Sequence, residues 1–70
     1  MITKTFDRSR ATWIYDCDGH RAIVYKVGKK WMLRAGICEP GRIAPRPELV
    51  NDYNYRRLAD NDAFNYLSGL

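Results

Sequence analysis

The reactive side chains of this 70-residue chain gather once, at Cys17, Asp18 and His20, where a thiol beside an imidazole raises the chemistry of a Cys–His nucleophilic pair. That chemistry needs sulfur and ring nitrogen within hydrogen-bond reach, which neighbours around a tight turn seldom achieve. The triplet therefore reads as a solvated hairpin tip. Asp60-Asn61-Asp62 imitates the start of a calcium loop, but the rest of the EF-hand pattern is missing and helix capping explains the residues more simply. Ser9 and Ser68 have no histidine placed by any motif, and no GxGxxG or P-loop run occurs. His20 is the single histidine, and Cys17 and Cys38 stand apart with no CxxC pair, too few ligands for a closed zinc site. The expectation is a non-catalytic protein without metal or cofactor.

What does concentrate is positive charge among large rings. Lys26, Lys29, Lys30 and Arg34 share a stretch of chain with Trp13, Tyr15, Tyr25 and Trp31, and Arg42 and Arg46 follow in the next segment. Residues 1–46 hold ten Lys/Arg against four acids, and residues 47–70 hold two against four, so the net charge of +4 is carried by the N-terminal part. Cations interleaved with aromatics suit phosphate neutralisation and base stacking, or an acidic protein surface. The candidate contacts are Lys26, Lys29, Lys30, Arg34, Arg42 and Arg46, with Trp13 or Tyr15 as an exposed ring. Trp31, Tyr25 and Phe64 are assigned to the core, because so small a domain needs large side chains there. The plain alternative for the lysine pair is a solubilising hairpin edge.

The elements that must position these residues follow from turn chemistry. Cys17-Asp18-Gly19 and Lys26-Val27-Gly28 separate three runs rich in aromatic and β-branched residues, at Ala11–Asp16, Arg21–Tyr25 and Trp31–Ile37. A two-residue Asp18-Gly19 turn sets Asp16 opposite Arg21, and a three-residue turn sets Trp13 opposite Ile23. For the second turn, a three-residue loop with Gly28 in the left-handed conformation is preferred. It sets Ile23 opposite Trp31 and keeps lysine off the more apolar face of Ile23, Tyr25, Trp31, Leu33 and Ala35. Residues 1–10 read as an arm, interrupted by Arg8-Ser9-Arg10. The 38–47 segment, with Pro40, Gly41, Pro45 and Pro47, reads as a loop. Glu48–Leu58 fits either a helix or an extended return. A short helix then begins at an Asp60 or Asn61 cap, turns Ala63, Phe64 and Leu67 to one side, and stops at Gly69. The predicted fold is α+β: a three-stranded antiparallel β-meander packed by a short C-terminal helix.

Length and composition bound the rest. Seventy residues make one small domain with a compact core and little room for an internal active site. With no signal peptide and no disulfide-dense pattern, reduced thiols and a cytoplasmic location are expected. No apolar run approaches a membrane span, so no membrane partner is expected.

Trp13 on the first strand, Asp18-Gly19 at the first turn, basic residues on the following strands, and Ala63-Phe64 with Leu67 in the closing helix resemble the three-stranded-sheet DNA-binding domains of phage-type integrases and AP2-like proteins. That resemblance spans about 55 residues; the proline-rich loop and Tyr53–Arg57 depart from it. It implies a sheet face laid in the major groove. In size and character the chain is also similar to small phage and mobile-element accessory proteins, including anti-CRISPR inhibitors. Two readings follow: a basic module engaging nucleic acid or a nucleoprotein through its sheet and hairpin tip, or a mobile-element inhibitor that docks on a host protein complex and blocks its site.

Overall fold

A computed structural model describes residues 1–42 and 44–70. Five strands, β1 (Thr3–Asp7), β2 (Thr12–Cys17), β3 (His20–Val27), β4 (Lys30–Ile37) and β5 (Arg46–Tyr53), precede one helix, α1 (Arg56–Ser68). All five form one antiparallel sheet in the order β1-β2-β3-β4-β5. The α+β class and the C-terminal helix agree with expectation; the strand count does not. The three-stranded meander is the centre of a wider sheet, because the 1–10 arm supplies β1 and the ambiguous 48–58 region supplies most of β5. Both additions are edge strands, where Pro47 can sit opposite Gly36 without breaking a central ladder.

The two central turns show how the register is set. Asp18 and Gly19 both take positive φ, 49° and 77°, the type I′ geometry that matches strand twist, and Asp16 lies opposite Arg21 as the two-residue turn requires. The second turn differs from expectation. Val27 pairs with Lys30, so the loop is Gly28-Lys29, with Gly28 at φ 61° in the first central position of a type II′-like turn. Loss of one loop residue shifts the pairing, and Val24 rather than Ile23 shares a face with Trp31 and Leu33. The register that seemed to place lysine on the apolar side does so without cost. Lys26 lies opposite Trp31 and extends over its ring, 5.7 Å from the centroid.

One face of the sheet is covered by α1. Ala22, Val24, Leu33 and Ala35 meet Ala59, Ala63 and Leu67, all essentially buried, with Tyr15 beside them. Ala59, Ala63 and Leu67 recur at four-residue spacing, and the two alanines let the helix approach the strands closely. Phe64 belongs to the adjacent helical stripe and is 55% exposed, contrary to its assignment to the core. Asp60 and Asn61, the residues expected to cap the helix, instead lie inside it. Residue 55, a tyrosine, is the N-cap and makes no side-chain cap, while Tyr15 Oη donates to Asp60 (2.7 Å) and Tyr53 Oη to Asp62 (2.5 Å). Tyr66 Oη donates to Glu48 (2.5 Å), so three tyrosine–carboxylate bonds fasten helix to sheet.

The other face has no helix. Thr12, Ile14 and Ile23 are nevertheless buried there. The connection between β4 and β5 returns toward this face: Cys38 N–H donates to the Gly19 carbonyl, Arg21 Nη1 to the Arg42 carbonyl, and Ala44 reaches the surroundings of Ile23 and Tyr25. Of the expected 38–47 loop, residues 38–42 and 44–45 lie outside regular elements, residue 43 lies outside the described residues, and Arg46-Pro47 instead open β5, an edge strand that tolerates the proline.

Candidate nucleic-acid interface

Strand alternation divides the predicted contact residues between the two faces. Trp13, Tyr15 and Lys26 lie on the helix-covered side. Tyr15 is 5% exposed and hydrogen-bonded to Asp60, so it offers no ring for stacking. Trp13 is half-buried between two cations, Lys4 Nζ at 4.6 Å and the Arg56 guanidinium at 4.9 Å from its ring centroid, with Phe6 beside it. Arg56 is in turn ion-paired to Asp60 at 3.3 Å. The cations here are fastened to rings and carboxylates, which makes them part of the packing.

Lys30 and Arg34 project to the open face, four residues apart on β4 with Met32 between them, and Lys29 stands exposed in the adjoining turn. Lys30 Nζ reaches a neutral acceptor, Asn54 Oδ1, at 2.7 Å, which orients the ammonium without neutralising it. Arg42 is exposed in the covering loop, and Arg46 is exposed at the start of β5 opposite Ile37. The structure therefore sets Lys29, Lys30 and Arg34 along one face, with Arg42 exposed and its carbonyl beside Arg21 toward the opposite end of the strands. It separates them from Lys26, Trp13 and Tyr15.

Two further open-face arginines escaped the sequence reading as site components. Arg21 is held by Asp16 through Nε (2.6 Å) and Nη2 (3.3 Å), and this hydrogen bonding raises its already high pKa. Arg10 is held by Asp7 at 3.0 Å. The Ser9 hydroxyl, then Arg10, hold the Asp7 carboxyl below its usual range. The signal for both was present as Asp–Arg spacing across a turn. What it could not disclose is that Arg10 folds over the sheet.

Arg10, Thr12, Ile23, Tyr25, Arg34 and Ala44 line a shallow pocket of about 250 Å³. Tyr25, expected in the core, is a half-buried wall of this pocket. Arg34 Nε is shut off from solvent with no hydrogen-bond acceptor among the described residues.

The reactive triplet stays apart. The Cys17 thiol approaches the Asp18 carboxylate at 3.8 Å, whereas His20 Nδ1 turns to the Asp18 carbonyl at 3.1 Å and its ring lies toward Tyr66. Cys17 and Cys38 are free thiols. Among the described residues no three His, Cys, Asp or Glu side chains converge on a possible metal position, and no helix is long and apolar enough to cross a membrane. No family model, curated protein or solved structure matches the chain.

Proposed function

We propose that the protein is a non-catalytic module that binds nucleic acid, free or in a nucleoprotein, through the open face of its sheet. The observation that carries this reading is the row of Lys29, Lys30 and Arg34 along the face that the helix leaves uncovered, beside half-buried Tyr25, with exposed Arg42 joined through its carbonyl to Arg21 toward the opposite end. Asp7 and Asp16, acids on the same face, are engaged by Arg10 and Arg21, and Asp52, opposite Met32 between Lys30 and Arg34, offsets part of the remaining positive charge. Such a surface attracts phosphate by long-range field and gains affinity by releasing counterions. In this reading the hairpin-tip contact consists of the Gly28-Lys29 turn with Lys30 and Arg34, and Lys26, on the other face, is not part of it.

The double change Lys29→Glu with Lys30→Glu tests the reading. Exposed turn charges contribute little to stability, so the variant is expected to melt within about 0.5 kcal/mol of wild type. Its binding to single-stranded and duplex DNA and to RNA, followed across a salt series, should weaken, and the log–log salt slope should flatten by about one unit for each lost phosphate contact. Absence of wild-type binding to all three at low salt retires this reading in favour of the inhibitor that docks on a host protein.

A further inference from the structure

The two edges of the sheet are finished differently. β5 carries Pro47, which has no N–H to offer, beside the place where its ladder with β4 changes register. Both features keep an edge strand from pairing with another chain. β1 has neither. Its residues Thr3–Asp7 contain no proline and pair with β2 without a register shift, and Thr3, Lys4, Thr5 and Phe6 are exposed. Helix α1 packs on β2, β3, β4 and β5 and, among the described residues, does not reach β1. The outer N–H and C=O groups of β1 are therefore open to another strand, with the ring of Phe6 42% exposed beside them.

We propose that β1 pairs with β1 of a second copy of the chain, antiparallel about a twofold axis at Thr5, joining two five-stranded sheets into one. Charge selects this register. The outward N–H and C=O groups of a strand belong to alternate residues, so two identical antiparallel strands pair odd positions with odd and even with even. A pairing centred on Lys4 sets Lys4 against the partner's Lys4, and one centred on Phe6 sets Lys4 against the partner's Arg8. Like charges directly opposite are destabilising. Centred on Thr5, the pairing uses the whole strand and no like charges meet: Thr3 faces the partner's Asp7, Lys4 faces the partner's Phe6, and Thr5 faces its own copy. Lys4 already lies over the rings of Trp13 and Tyr15, and Phe6 stands 4.6 Å from Trp13 between centroids, so the partner's Lys4 extends an existing row of cations and rings. Phe6 also lies diagonal to the partner's Phe6, within aromatic reach, which covers its exposed ring. The edge is separate from the open-face cations of β4, and the pairing does not depend on what they bind. So short a strand gives a small interface, with a Kd between about 1 μM and about 1 mM.

Sedimentation equilibrium of nuclease-treated protein, from about 10 μM to about 1 mM, reads the association. Wild type should pass from monomer to dimer and no further, because a twofold pairing uses up the edge on both copies. Thr5 is exposed, so Thr5→Lys and Thr5→Glu should each melt like wild type, yet each sets two like charges face to face and should weaken dimerisation about fivefold or more. An equimolar mixture of the two variants should restore the dimer, since opposite charges then meet on the axis. Amide exchange gives a reading on wild type alone: β1 amides should exchange about twofold or more slowly at the high concentration than at the low one, while β5 amides keep one rate. A wild-type chain that stays monomeric throughout overturns the proposal. So does a dimer that both Thr5 variants leave intact, or one that protects β5 amides in place of β1. A mixture no more associated than either variant alone overturns the register centred on Thr5.

Discussion

The two faces of the sheet use the same residue types in opposite ways. Under the helix, Lys4, Lys26 and Arg56 lie on Trp13 or Trp31, and tyrosine hydroxyls meet carboxylates, so each polar group brings its own counterpart. On the open side Ala44 of the β4–β5 connection lies near Ile23, and Arg34 Nε is buried without an acceptor among the described residues. The first face pairs its polar groups internally; the second leaves one buried donor unpaired among the described residues. Counting lysines and aromatics along the chain treats the faces alike, whereas pairing separates packing from a site.

The severest test of this distinction removes the strand that joins both faces at one edge. A Cβ at Gly36 would stand 1.7 Å from the Arg46 carbonyl oxygen, at the irregularity where β4 and β5 change register. Gly36→Ala should therefore force β5 away and cost about 3 kcal/mol or more, read by denaturant melts, with faster amide exchange along β5. An unchanged melt would mean that the edge strand supports neither face.

Adjacent residues of β4 give a finer comparison. Leu33 is fully buried beneath the helix, and Met32 is half-buried on the open side. Leu33→Ala should cost about 2–5 kcal/mol through cavity formation, and Met32→Ala about 1 kcal/mol. Equal losses would show that the open face is as much a core as the covered one.

The smallest effect concerns pH. Burial, and then the bonds to Asp62 and Glu48, push the hydroxyls of Tyr53 and Tyr66 up to about 12 from the ordinary 10.0. The unfolded chain releases these protons first, so their contribution is intact below about pH 10 and fades as pH rises toward 12. Thermal melts of wild type should decline through that window. Tyr53→Phe with Tyr66→Phe should reduce the decline, while binding at neutral pH stays unchanged; an identical decline in the variant would remove these latches from the account.

Much of the centre was legible because its signals are local. Asp18-Gly19 specifies its own turn, and Asp16 opposite Arg21 follows from it. Gly28 was ambiguous because glycine suits both the first position of a two-residue turn and the last of a three-residue one. Only the packing of Val24 and Leu33 against α1 decides between them. Phe64 was misplaced because hydrophobicity favoured the larger residue, whereas close helix approach selected Ala59 and Ala63. Thr3–Asp7 lacks an apolar pattern of its own and becomes a strand through its pairing with β2. The pocket was illegible for a related reason: Arg10, Tyr25, Arg34 and Ala44 come from a turn, two strands and a loop, and no sequence spacing links them.

Every strand in the sheet lies beside its immediate neighbour in sequence. Ordering one hairpin thus creates the template for the next, and the search for partners involves short loop closures except across the 38–45 connection. Growth can proceed outward from β3 and β4 with little topological frustration, the helix docking once the apolar strip is assembled. The pocket between Arg10 and Ala44 stands at a late point of that assembly, since its walls need the β1–β2 turn and the β4–β5 connection together. A destabilised chain would lose it before losing the central hairpin.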